Sequence, residues 1–121
     1  MKYALLIYYD ESGQAEPGSA EGQETFDQYM KFTQSINERG INKGGEALRG
    51  TDSATTVRVR SGETLTTDGP FAETKEALAG FYLIDVPDLD DAINVAAELP
   101  GSWYGSVEIR PIVDWENEHA G

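Results

Sequence analysis

Ten residues, Thr67 to Glu76 (TDGPFAETKE), join a turn, an aromatic ring and four charged side chains between two strand-like segments. Proline fixes its own φ and biases the preceding residue away from the α region, so Gly69-Pro70 stiffens the loop beside Asp68. Rigid loops that carry charge are where binding and catalytic groups concentrate. Asp68 is the candidate proton carrier. A carboxylate beside a partly apolar pocket suits acid–base chemistry, whereas backbone N–H donors would make the same residue an Asx-turn or a helix N-cap. Spacing leaves both open. Lys75 is placed to hold an anionic substrate group or to pair with Glu73, and Glu76 to act as a second acid or base. Their alternative is exposed ion pairing of little energetic weight.

Other candidates lie outside this loop. Glu46 interrupts a strand-like segment just after Gly44-Gly45, two residues that permit close approach of a backbone or a ligand. A carboxylate facing the interior of a sheet needs a partner, and Arg110 or Arg58 is available. The pair is either structural or a substrate clamp. Phe71 and Tyr82, with Tyr8 and Trp103, offer rings that either line an apolar pocket or belong to an ordinary core. His119, the single histidine, reads as tail, with no second ligand at metal-binding spacing. No HExxH, Walker loop, GxSxG or GxGxxG occurs, so any chemistry is expected to be free of cofactors and metals.

The elements that must position these groups follow from periodicity. Lys2 to Tyr9 is apolar in both alternating sets, which predicts a strand buried on both faces. Residues 10–21 hold Gly, Pro, Ser and Glu and predict a mobile loop. A helix is expected from about Glu21 to Arg39, with Phe26, Tyr29, Met30, Thr33 and Ile36 on one face and Gly40 as its stop. A second strand covers roughly Ile41 to Leu48. Thr55 to Arg60 and Glu63 to Thr67 predict a hairpin across Ser61-Gly62 with Arg60 opposite Glu63. Ala79 to Val86 is again apolar on both faces. A second helix begins at Asp88, buries Leu89, Ala92, Ile93 and Ala96, and ends at Pro100-Gly101. A last strand spans about Ser106 to Asp114, before a tail over residues 115–121.

Without the hairpin the order is β-α-β-β-α-β, the split βαβ arrangement of an α+β domain with both helices on one face of an antiparallel sheet. Two strands with large apolar residues on both sides need a cover for the second face. A second copy of the chain is the simplest one, so a homodimer is expected.

Composition narrows the function classes. The 121 residues suit one domain with a modest core. Nine basic against 22 acidic residues give a formal charge of −13, and no basic stripe appears, which argues against nucleic-acid binding. The absence of cysteine excludes disulfides, thiolate metal sites and a cysteine nucleophile. The apolar run Ala4 to Tyr9 is too short for a membrane span or a secretory h-region, and a cytoplasmic protein is expected.

The string DGPFAETKE, followed by GFYLIDVPDLDDA from Gly80 to Ala92, resembles the signature of the DGPF subgroup of the YCII-related family. The opening KYALLIYYD, the GGEAL of Gly44 to Leu48, the TTVRVR of Thr55 to Arg60 and the closing GSVEIRP of Gly105 to Pro111 agree with it, in the family's order. The resemblance implies a ferredoxin-like α+β domain that dimerises into an α/β barrel. It also implies a proposed catalytic role for a loop aspartate, matched here by Asp68. Some YCII-type relatives pair that aspartate with a histidine, a pairing that His119 in the tail does not match. Similar proteins are often encoded beside extracytoplasmic-function sigma factors, which suggests a regulatory link.

Two functional readings result. In the first, Asp68 moves a proton in a cofactor-free, isomerase- or lyase-like reaction on a small molecule. Lys75 or Arg110 holds an anionic group, and Glu46, Phe71, Glu76 and Tyr82 help to form the cleft near the dimer interface. In the second, the chain is a non-catalytic ligand sensor or protein-interaction module.

Overall fold

A computed structural model describes residues 1–118 of the chain. Six strands, β1 (Lys2–Tyr9), β2 (Asn42–Ala47), β3 (Thr55–Arg60), β4 (Glu63–Asp68), β5 (Ala77–Asp85) and β6 (Ser106–Pro111), are joined by helices α1 (Ala20–Glu38), α2 (Leu89–Glu98) and α3 (Gly101–Tyr104); α4 (Trp115–Glu118) follows. The main sheet has the order β2-β5-β1-β6, and every neighbouring pair in it is antiparallel. This is the ferredoxin-like α+β arrangement expected from the β-α-β-β-α-β order. Strands β3 and β4 form a separate two-stranded sheet. Their turn needs positive φ at both central residues, and Ser61 (52°) and Gly62 (77°) supply it, setting Arg60 opposite Glu63.

The core lies between the sheet and its helices. Tyr3, Leu5 and Ile7 of β1 and Ile84 of β5 point to the same side, where they meet Phe32 and Ile36 of α1, Ala92 and Val95 of α2, and Leu99 just after it. Ser19 caps α1 by accepting from the Gly22 amide at 3.0 Å, and Asp88 caps α2 by accepting from the Asp91 amide at 2.9 Å.

Both expected helix faces need correction. On α2 the buried stripe is Ala92, Val95 and Ala96, running on to Leu99, while Leu89 and Ile93 stay about half exposed. The stripe runs i, i+3, i+4, i+7 from Ala92 and is rotated toward the strands by the buried bulk of Val95 and Leu99. On α1 the buried residues are Phe32 and Ile36, whereas Phe26 and Met30 are mostly exposed. They border an unfilled space described below. Pro100-Gly101 does end α2, but Pro100 also starts the single turn α3, because proline is tolerated at a helix start.

The opposite face of the main sheet carries Ala4, Leu6 and Tyr8 of β1 and Phe81 and Leu83 of β5, all half-buried, with Glu108 and Arg110 of β6 beside them. Helices α1 and α2 lie on the other side of the sheet. Among the described residues no helix is long and apolar enough to span a membrane.

Candidate functional site

A cavity of about 650 Å³ opens between the first half of α1 and the β2–β5 side of the sheet. That volume lies within the range of small-molecule sites. Its walls are Tyr9, Phe26, Tyr29, Met30 and Tyr82; residues Gln14, Ala15 and Pro17 form a rim; and Gly44, Gly45 and Gly80 lie in its floor. The cavity exists because the sheet puts no bulk there. Gly45 has a φ of +150°, and a Cβ on it would stand 2.5 Å from the Phe81 carbonyl oxygen. A Cβ on Gly80 would lie 2.8 Å from the Glu46 carbonyl oxygen. Close approach of β2 to β5 thus demands glycine at both positions, and the demand empties the space under α1. The close approach that Gly44-Gly45 allows is therefore made by the neighbouring strand's backbone.

The rim is anchored. Residues 10–19 include a single 3-10 turn, Glu11–Gly13, capped by Asp10, whose carboxylate accepts from the Ser12 amide at 3.0 Å. The Glu11 carboxylate accepts from both the amide and the hydroxyl of Thr51, in the connection between β2 and β3. These donors hold the Glu11 carboxyl below its usual range, as Ser12 does for Asp10.

Inside the cavity the polar groups are mostly hydroxyls. Thr33 Oγ1 donates to the Tyr29 carbonyl at 2.9 Å and lies 2.8 Å from the Tyr82 hydroxyl. Threonine has a single hydroxyl proton, so Tyr82 must be the donor in the second bond. The Tyr82 ring meets Phe32 edge-on at 5.1 Å. Tyr29 reaches over Gly101, where an added Cβ would lie 2.9 Å from the phenolic oxygen. Burial, reinforced by Tyr9, Tyr82 and Tyr104 nearby, pushes the Tyr29 phenol up to about 12. Burial, followed by the Glu11 charge, also raises that of Tyr9. Glu46 borders the cavity at the β2 edge, and among the described lining residues no Lys, Arg or His appears.

The residues singled out from sequence are dispersed. Tyr82 and Glu46 line the cavity; Asp68, Phe71, Lys75, Glu76 and Arg110 do not. Asp68 ends β4 opposite Thr55, is exposed, and its carboxylate accepts no hydrogen bond among the described residues. The cap expected there is not formed, because the segment after it runs on to β5 and no helix N-terminus is offered. Phe71 is 79% exposed. Lys75 stands near the Asp10 carboxylate. Glu76 accepts from the Ser106 hydroxyl at 2.9 Å and braces the start of β5 against β6. Arg110 lies 3.7 Å from Glu108, its neighbour two positions back on β6, so the expected Glu46–Arg110 pair is replaced by one on the open face. Arg58 sits on the hairpin, away from Glu46 in sheet order. Trp103 donates to the Ala97 carbonyl at 2.8 Å, and Tyr8 to Glu108 at 3.2 Å on the open face. His119 lies outside the described residues.

Sequence reading missed Tyr9, Phe26, Tyr29, Met30 and the rim. Its usable signal was the combination of Gly44-Gly45 with Gly80 on strands otherwise rich in large residues.

Comparison with known proteins is consistent with this fold. A family model, the YCII-related domain, matches residues 1–116. An uncharacterised protein of Rhizobium meliloti (strain 1021) is 41% identical over 118 residues, covering 93% of this chain and 92% of that protein. With the family model matched along nearly its whole length and a relative this similar end to end, the chain belongs to the YCII-related family.

Proposed function

We propose that this chain binds a small molecule in the cavity between α1 and the β2–β5 edge, and that it works as a ligand-sensing module. One observation carries the reading: an aromatic-walled space of about 650 Å³ whose floor is kept empty by backbone geometry. Such concave, mostly apolar sites with few polar groups are the usual form of small-molecule pockets. Sensing is favoured over catalysis because Asp68, Lys75 and Arg110 are outside the lining. The test is a fragment screen by ligand-observed NMR on the wild type and on Thr25→Trp, which places an indole in the cavity. Hits that the variant loses support the reading; hits unaffected by it, or no hits, overturn it.

A homodimer is part of the proposal. Leu6, Phe81 and Leu83 lie on the uncovered sheet face, and Val57 and Val59 of the hairpin are 59% and 58% exposed. A second copy would cover both, as the α/β-barrel assembly suggested by the resemblance requires. Light scattering at micromolar concentration checks it: a stable monomer would remove the dimer.

A second reading keeps Asp68 as the proton carrier of a cofactor-free reaction. In the hairpin register Asp68 pairs with Thr55 and so shares a face with Val57 and Val59. Covering that face would withdraw the carboxylate from water, the condition under which a carboxylate carries protons usefully. A bell-shaped pH–rate profile lost in Asp68→Asn would favour it.

A further inference from the structure

Resting on the binding reading, we infer that the cavity takes an uncharged ligand with a flat apolar body and a carbonyl-type oxygen, which the hydroxyls of Tyr9 and Tyr29 hold. Three observations converge on this class.

First, the unpartnered tyrosine hydroxyls of the lining can donate. Tyr82 gives its proton to Thr33 and Thr33 gives its own to the Tyr29 carbonyl, so that pair is satisfied. The hydroxyls of Tyr9 and Tyr29 have no partner among the described residues, although both side chains line the cavity. No fully buried side-chain oxygen or nitrogen is left unpaired among those residues, so neither hydroxyl is sealed from solvent. An apolar site with open O–H donors is matched by a ligand that brings an acceptor.

Second, the charge pattern refuses an anion. The lining holds no cation among the described residues, and its charged member is Glu46. Of the nearby cations, Arg39 is paired with Glu98 at 2.8 Å, and Lys75 and Lys43 lie toward Asp10 and Asp85. A carboxylate or phosphate would lose water in an apolar space without a counter-charge, a strongly unfavourable transfer. The elevated Tyr29 phenol keeps its proton at neutral pH, so it donates without adding charge of its own.

Third, the walls fit a planar body. Phe26, Tyr9, Tyr29 and Tyr82 supply ring faces and edges, and Met30 supplies a flexible thioether that adapts to them.

The experiment uses the full chain and three probes of one shape: 2-acetylnaphthalene, the anion 2-naphthoate and the hydrocarbon 2-isopropylnaphthalene. Affinity is read by fluorescence titration, and location by amide shifts along α1. The ketone is expected to bind at least about tenfold more tightly than the carboxylate, since an unpaired charge is poorly tolerated there. It should bind about fivefold more tightly than the hydrocarbon, the advantage of a net hydrogen bond, and Tyr9→Phe/Tyr29→Phe should erase that margin. As a second arm, Met30→Lys puts a cation on an exposed position of the lining and should raise the affinity for naphthoate relative to the ketone by about tenfold. Naphthoate binding the wild type as well as the ketone does, or a ketone margin that survives the double variant, overturns the assignment of ligand class while leaving the binding reading intact. Failure of all three probes to bind, or shifts confined to the hairpin, overturns both.

Discussion

The two faces of the main sheet are made from equally apolar strands and end in different states. On the helix side Tyr3, Leu5, Ile7 and Ile84 are at most 5% exposed. On the other side Ala4, Leu6, Tyr8, Phe81 and Leu83 are only half-covered, and on the hairpin Val57 and Val59 stay open. Apolar alternation says that a face will be buried; the hand of the crossovers decides whether the chain itself does the burying. Both βαβ units here wind the same way, so α1 and α2 share one side and leave the other uncovered by either. The covered side also holds the cavity. Emptiness there is made by glycine in an otherwise packed layer, whereas emptiness on the open face is the lack of a layer.

That contrast breaks most visibly at the core. Leu5→Ala should cost about 3 kcal/mol in urea unfolding, as expected for a fully buried leucine. Val57→Ala, on the hairpin, should cost less than about 0.5 kcal/mol when the chain is dilute. A Val57→Ala penalty that grows with protein concentration would place the hairpin in a subunit interface.

Glycines sharpen the same contrast at the next level. Gly45→Ala meets the Phe81 carbonyl at 2.5 Å and should cost about 3 kcal/mol, with loss of cavity binding. Gly69, at a φ of +103°, has open space around its missing Cβ. Its alanine variant carries the conformational penalty alone, about 1 kcal/mol. Equal melting temperatures for the two would show that β2 can move away from β5, and that the cavity floor is adjustable.

Alkaline titration tests the burial of Tyr29. The unfolded Tyr29 phenol ionises near 10, while the folded one, raised by burial, holds its proton to about 12. Between those values the unfolded chain has released a proton that the folded chain keeps, so stability present below pH 10 is lost as pH rises toward 12. Tyr29→Phe should flatten that part of the curve. A variant whose alkaline slope matches the wild type would show Tyr29 to be solvated.

The smallest effects distinguish two aspartates of similar local sequence character. Asp88 caps α2, and Asp88→Ala should cost about 1 kcal/mol. Asp68 accepts nothing among the described residues, so both Asp68→Ala and Asp68→Asn should stay within about 0.5 kcal/mol of the wild type. A larger loss for Asp68→Ala than for Asp68→Asn would mean that a second chain supplies the donor.

The frame of the fold was legible because it depends on local rules. Strand β1 announces itself by seven apolar side chains in succession from Tyr3, the hairpin by Ser61-Gly62, and α2 by the aspartate that caps it. The site was less legible. Asp68, Phe71 and Lys75 drew attention as chemistry-bearing types in a stiff loop, yet the loop runs along the outside of the described chain. Phe26 and Met30 sit on one face of α1 at helical spacing; nothing local reveals that the sheet beneath them is paved with glycine. That fact depends on Gly45 and Gly80, 35 positions apart, arriving on adjacent strands, Gly45 opposite Tyr82 and Gly80 opposite Ala47. Void space is a property of pairs distant in sequence, which periodicity within one segment does not record.

Glu11 has a mechanical consequence. Its carboxylate takes the amide and hydroxyl of Thr51, so the rim of the cavity is tied to the root of the hairpin. A guest that lifts residues 14–17 must strain or release this tether, and the strand that leads to Asp68 begins just beyond it. The Thr51 amide is thus a gauge built into the chain. Its deuterium exchange would slow when a ligand closes the rim and quicken when the rim swings away, reporting occupancy of one region from the edge of the other.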